Sequence, residues 1–139
     1  MLTRRSFGAC AICASAGLVV TSVDAQPIGQ PQTEGGVTRT ILGRTDLDAK
    51  YIVVQILVEI PANMTQARHT HPGIETGYVL EGGLAEWSVE GQPNVGSLKV
   101  GEGFQIPAGT PHGGKNGPRP TKALITLVAE KDKPLVSPA

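Results

Sequence analysis

The stretch His69-Thr70-His71-Pro72-Gly73-Ile74-Glu75 places two imidazoles and one carboxylate within a short segment of the chain. Side chains alternate between the two faces of an extended strand, so His69 and His71 are predicted to point in the same direction. The proline that follows His71 favours an extended backbone at His71 itself. Glu75 comes after the Pro72-Gly73 break and can bring its carboxylate to the same point. The segment therefore predicts two imidazoles that form part of a binding site, and another part of the fold must supply the remaining group.

A second stretch, from Gly101 to Asn116, contains the last of the three histidines in the chain. Its spaced residues are, in order, Gly101, Pro107, Gly109, His112 and Asn116. Together with the first stretch, which continues to Gly82, this spacing resembles the two motifs of the cupin superfamily over residues 53–130. The resemblance implies an all-β fold, a single antiparallel β-barrel or jelly roll with little helix.

The resemblance also implies one divalent metal ion per chain, held by His69, His71, Glu75 and His112. Imidazole nitrogen together with carboxylate oxygen suits first-row divalent metals. We expect iron or manganese, with nickel and zinc as alternatives. The sequence specifies no catalytic residue beyond these ligands, although Glu75 is a candidate. The competing interpretation treats the histidines as core residues with local hydrogen bonds, but three of them beside a carboxylate at matching spacing favour a metal.

An enzyme is the first functional hypothesis, namely a metal-dependent dioxygenase or other oxidoreductase that acts on a small organic molecule. The alternatives are a cupin lyase or isomerase, and a non-catalytic periplasmic protein that binds a metal or a small metabolite. No further acid or base stands at motif spacing, which weakens a hydrolase hypothesis. The other side chains that could reach a barrel interior are Tyr51, Gln55, Gln66, Tyr78, Trp87, Gln105 and Lys115.

The first 25 residues are predicted to be an export signal of the twin-arginine type. Arg4 and Arg5 precede an apolar run over residues 8–20, which is shorter than the roughly 20 residues that span a bilayer. Cleavage after Ala25 would place the mature protein in the periplasm and would remove Cys10 and Cys13, the only cysteines. Residues 26–36 are then expected to form a flexible leader, and residues 37–139 the barrel domain.

The composition limits the range of partners. The chain of 139 residues carries 12 Lys and Arg against 12 Asp and Glu, with no basic block. We therefore expect neither nucleic acid nor, for the mature form, a membrane as a partner, and we expect a small molecule instead. The 18 glycines and 11 prolines are typical of many turns between short strands.

Strand patterns give further expectations. Residues 51–60 alternate so that Ile52, Val54, Ile56, Val58 and Ile60 fill one face, and we expect a homodimer that buries this region. Strands over 75–81 and 84–90 are expected to form a hairpin across Gly82-Gly83. Gly77 is expected to leave room for a ligand on the inward face. Residues 131–139 are expected to be a tail on the surface.

Overall fold

The computed structural model describes residues 27–92 and 96–139, which form antiparallel strands arranged in two sheets. The strands are β1 (Pro31–Glu34), β2 (Val37–Asp46), β3 (Tyr51–Ile60), β4 (Thr65–Thr70), β5 (Gly73–Glu81), β6 (Gly83–Val89), β7 (Gly96–Lys99), β8 (Gly103–Ile106), β9 (His112–Asn116), β10 (Thr121–Glu130) and β11 (Ser137–Pro138). Within this part of the chain there is no helix long and apolar enough to cross a bilayer. The predicted all-β jelly roll is confirmed.

The two sheets pack face to face. The larger sheet has the strand order β1-β2-β3-β10-β5-β8, and the smaller has the order β11-β4-β9-β6-β7. In the larger sheet β10 lies between β3 and β5, with Ile125 opposite Ile56 on one side and Gly77 on the other. Along most of β3 and β10, every second residue is apolar and points inward. This pattern fixes the register of the two strands, because a slip by one residue would turn all of these apolar side chains outward.

The apolar face of β3 is part of the core of the single chain. Val54 is completely buried, and Ile52 and Ile56 are almost so. These residues pack within one chain, in a cluster that includes Leu127 and Leu135, so our expectation that a second subunit buries them is wrong. The opposite face of β3 is mixed, with half-buried Val53 and Leu57 on either side of exposed Gln55.

The expected hairpin between β5 and β6 is also wrong, because β5 belongs to the larger sheet and β6 to the smaller one. Gly82 and Gly83 both have positive φ, at 73° and 126°, and they turn the chain from one sheet into the other. A Cβ on Gly82 would lie 2.1 Å from the carbonyl oxygen of Pro120, so a side chain does not fit this crossing. The amide of Gly83 donates to Thr121 Oγ1 at 2.8 Å and anchors the turn to the start of β10.

Two segments expected to lie outside the barrel are joined to it. Within the expected leader, β1 pairs with β2 through a turn at Gly35-Gly36, where positive φ values of 56° and 82° match a two-residue hairpin turn. In the expected surface tail, Leu135 is buried and β11 pairs with β4. The predicted signal peptide, residues 1–25, lies outside the described residues.

Candidate metal centre

The four predicted ligands come from both sheets and meet between them. His69 lies on β4 opposite His112 on β9, and His71 follows the end of β4. Glu75 lies on β5 of the other sheet, where it pairs with Leu127 and Ile106. The alternation of the first motif and the break at Pro72 therefore aim side chains from two sheets at one point.

The three imidazoles are in mutual contact. The ring centroid of His69 lies 5.0 Å from that of His71 and 4.3 Å from that of His112. One ring nitrogen from each histidine can be chosen so that these atoms all lie within 4.8 Å of one another. The three histidines are thus positioned to bind a metal ion. His71 and His112 are buried, whereas His69 is partly exposed.

Backbone carbonyls fix the orientation of each ring. His69 Nδ1 lies 2.9 Å from the oxygen of Ala67, and His112 Nδ1 lies 2.9 Å from the oxygen of Thr110. His71 Nδ1 lies 2.6 Å from the oxygen of Leu135 in the C-terminal segment. A carbonyl oxygen can only accept a hydrogen bond, so each Nδ1 donates and each neutral ring presents the lone pair of Nε2. Metal-bound histidines in proteins are held by this same kind of second hydrogen bond.

The carboxylate of Glu75 faces these lone pairs. Its Oε2 lies 3.2 Å from His71 Nε2 and 3.1 Å from His112 Nε2. The same oxygen is buried and has no hydrogen-bond donor among the described residues, in agreement with unprotonated Nε2 atoms. Two imidazole lone pairs and an anionic oxygen repel one another when they meet without a cation between them, so the site is suited to bind a cation. This donor set fits a divalent metal.

In the metal-free site, the ionisable groups whose pKa values are shifted are Glu75 and His69. Burial alone would raise the pKa of the Glu75 carboxyl, but its contacts with His112 and His71 outweigh burial and lower that pKa to about 2. For His69, burial lowers the pKa to about 4. The Glu75 carboxyl is thus ionised, and the His69 ring is neutral, at neutral pH.

These shifts predict how the stability of the metal-free protein depends on pH. The folded-state pKa of His69 lies below its ordinary value of 6.5, so between about pH 6.5 and pH 4 the unfolded chain binds more protons. Stability from His69 is therefore complete above this window and is lost as the pH falls through it. Glu75 extends the loss below its ordinary pKa of 4.5. Thermal unfolding of dialysed, metal-free protein should show a falling Tm, and His69→Gln should show a smaller fall. A constant wild-type Tm would contradict this.

The metal site opens into a cavity of about 350 Å³ between the sheets. Most of its wall is apolar, and Trp87 contributes an indole ring whose centroid lies 5.8 Å from that of His112. Of the seven further side chains expected near the interior, Gln66 and Trp87 line this cavity. Those that do not line it are Tyr51, Gln55, Tyr78, Gln105 and Lys115.

Two features of the cavity differ from expectation. Gly77 leaves no room for a ligand, because a Cβ there would lie 2.2 Å from the ring of Phe104, which fills the space. Arg39 lines the cavity although it belongs to neither sequence motif. The available signal was its place in β2 between Val37 and Ile41, both buried, since alternation puts the three on one face.

The family assignment follows from a sequence model of the cupin domain, which matches residues 56–127 and includes all four predicted ligands. The chain belongs to the cupin family. No curated protein gives a significant match to the sequence.

Solved cupin-like structures resemble this one. The DMSP lyase DddQ from Ruegeria pomeroyi DSS-3 is 26% identical, with a TM-score of 0.56 over 63% of this chain. The match spans only 43% of that lyase chain. KdgF from Halomonas sp. is 24% identical with a TM-score of 0.57, over 75% of this chain and 89% of that one. An RmlC-like cupin from Shewanella frigidimarina is 19% identical with a TM-score of 0.58, over 84% and 95% respectively. The last two similarities support the fold alone.

Proposed function

We propose that this cupin is a metal-dependent enzyme that oxidises a small organic molecule with dioxygen. The observation that carries the proposal is the convergence of three imidazoles, each offering one ring nitrogen, in the wall of a largely apolar cavity. Glu75 is proposed as the fourth ligand, because its buried Oε2 has no donor among the described residues. Iron or manganese fits this set, with nickel or zinc as alternatives. A bound metal of this kind supplies Lewis acidity and, for iron or manganese, redox chemistry.

The surroundings of the site favour oxidation over chemistry that needs a separate base. The described residues that line the cavity include no Lys, Tyr, Asp or Cys. Its carboxylates are Glu75, whose low pKa makes it a weak base, and Glu34, which is exposed on β1. The protein itself would bind and orient the substrate and exclude water with its apolar wall. An oxidation by a bound metal and dioxygen does not require a further acidic or basic side chain among the lining residues.

The test is dioxygen consumption by protein loaded with iron(II) or manganese(II), measured with an electrode against a panel of small organic acids. We expect uptake that depends on substrate and disappears in His112→Ala. Turnover that continues at the same rate without dioxygen would overturn the oxidation. Full metal occupancy without turnover would favour the alternative of a non-catalytic protein that binds a metal or a small metabolite.

A lyase is the second candidate function, and it rests on a specific comparison. DddQ, at 26% identity, is a DMSP lyase. The same metal-loaded protein, incubated anaerobically with DMSP, would then release a cleavage product. An isomerase would also work without dioxygen but would leave the mass of its substrate unchanged, so mass spectrometry separates the two.

We also propose a homodimer, on a different face from the one the sequence indicated. On the outer face of β5, Ile74, Tyr78 and Leu80 are 52%, 50% and 41% exposed. Leu124 of β10 lies beside Tyr78, and together these side chains form an apolar surface on the larger sheet. Contiguous apolar surface of this kind is typical of protein interfaces.

Tyr78→Glu is expected to dissociate the dimer, because it places a charge within the apolar surface. Sedimentation velocity should then show a monomer at concentrations where the wild type is a dimer. Leu47→Glu is the control, since Leu47 is 60% exposed in the turn between β2 and β3. A wild-type protein that stays monomeric at all concentrations would refute the proposal.

Export to the periplasm stays a proposal that the paired arginines support. Replacing Arg4 and Arg5 together by Lys should leave the precursor in the cytoplasm, because the twin-arginine route requires that pair. Cell fractionation measures this, with Arg119→Lys as a control on the mature surface. Mass spectrometry of the exported protein should find Gln26 at its N-terminus and no thiol. A mature protein that retains Cys10 or Cys13 would contradict cleavage after Ala25.

A further inference from the structure

Arg39 brings a positive charge to the wall of a largely apolar cavity. It lies on the inner face of β2, opposite the cavity-lining Val58 of β3, and buried residues flank it on both sides. Its side chain is half-buried. A cation removed from water without a partner is costly, so an inward arginine at such a position calls for a counter-charge.

The described part of the chain does not provide that counter-charge at contact distance. No carboxylate among these residues lies within 4.0 Å of the Arg39 guanidinium, and no hydrogen bond to it is formed there. Glu34 and Glu75 act on it from farther away, yet burial has the larger effect and lowers the pKa of Arg39. Glu75 is also engaged by His71 and His112, so it is not free to turn towards Arg39.

A second arginine in the same cavity shows the contrast. Arg68 also lines the cavity, but its Nη2 forms an ion pair with Glu90 Oε2 at 3.0 Å. The charge of Arg68 is thus matched within the protein, whereas that of Arg39 is left for a ligand. A planar guanidinium presents parallel N–H donors that suit the two oxygens of a carboxylate.

We propose that Arg39 is the anion-binding residue of the cavity, which therefore takes a small carboxylate with an apolar body. The carboxylate contacts Arg39, the apolar part packs on the wall that includes Trp87 and Phe104, and the far end reaches the histidines. The binding of a carboxylate by Arg39 does not depend on the proposed enzymatic function. Only the statement that the ligand reacts at the end nearest the histidines rests on that function. Arg39 determines specificity in this arrangement.

The experiment compares two probes that differ only in charge, butanoate and butanamide. Trp87, the single tryptophan of the chain, lines the cavity and reports binding by fluorescence. Metal-free protein is titrated first, so that a carboxylate cannot gain affinity from a metal. The titration is then repeated on zinc-loaded protein. The variants are Arg39→Gln, Arg39→Lys and the control Arg68→Gln, which removes the same charge from the same cavity.

The wild type should bind butanoate about tenfold more tightly than butanamide, as expected for hydrogen bonds to a charged group. Arg39→Gln should abolish this preference, Arg39→Lys should keep part of it, and Arg68→Gln should keep all of it. The proposal is overturned if the metal-free wild type does not distinguish the probes. It is also overturned if folded Arg39→Gln retains the preference for butanoate, or if Arg68→Gln loses as much of that preference as Arg39→Gln does. The metal-free titration does not depend on metal binding. Its result therefore tests Arg39 even if the protein proves not to bind a metal.

Discussion

Replacing His112 by alanine is expected to lower the affinity for a divalent metal by at least about 100-fold, more than the loss of an outer-shell partner typically causes. His112 is 2% exposed, and its Nε2 shares Glu75 Oε2 with His71. Removing this imidazole takes away a lone pair and opens one side of the site. Competition with a chromophoric chelator measures the affinity directly.

The deletion also leaves a void beside Trp87, so metal loss must be separated from misfolding. His112→Gln keeps most of the side-chain volume without the imidazole and should lose the metal to a similar degree. Gln66 lines the same cavity but is not one of the predicted ligands. The variant Gln66→Ala should therefore bind metal with the affinity of the wild type. The near-ultraviolet signal of Trp87 reports whether each variant keeps its core. Wild-type metal affinity in folded His112→Gln would show that His112 is not a ligand.

Much of this site could be predicted from sequence because its determinants are local. Alternation along one strand relates His69 to His71, and Pro72 sets the break that allows Glu75 to turn back. The resemblance to cupins supplied His112, which nothing near it in the chain connects to the other three. The structure agrees because β4 and β9 are neighbours and His69 and His112 are directly paired.

The features that sequence did not predict depend on contacts between distant residues. The carbonyl of Leu135 orients His71 from 64 positions along the chain, in a segment that was expected to be a tail on the surface. The Gly82-Gly83 pair has the composition of a hairpin turn, but its contacts with Pro120 and Thr121 make it a crossing between sheets. Arg39 belongs to neither cupin motif, so the resemblance did not single it out. Its inward direction follows from its alternation with Val37 and Ile41, but the lack of a carboxylate partner among the described residues follows only from the structure.

Substituting Gly73 by alanine is expected to destabilise the fold by about 3 kcal/mol or more, because overpacking here meets backbone. A Cβ at this position would lie 1.8 Å from the carbonyl oxygen of Val128 and 2.5 Å from the Cα of Ala129. Neither atom can rotate away as a side chain can, so β5 would have to separate from β10. Since β5 carries Glu75, any variant that still folds should also bind metal more weakly.

Gly43→Ala is the matched control for this substitution. Gly43 also lies in a strand of the larger sheet, and a Cβ there would have no atom within 4 Å. Its φ lies outside the positive range, so alanine is compatible with the backbone. Urea unfolding should therefore place Gly43→Ala within about 1 kcal/mol of the wild type, on either side. If Gly73→Ala proved equally mild, the close approach of β5 to the end of β10 would not be needed to hold Glu75 at the site.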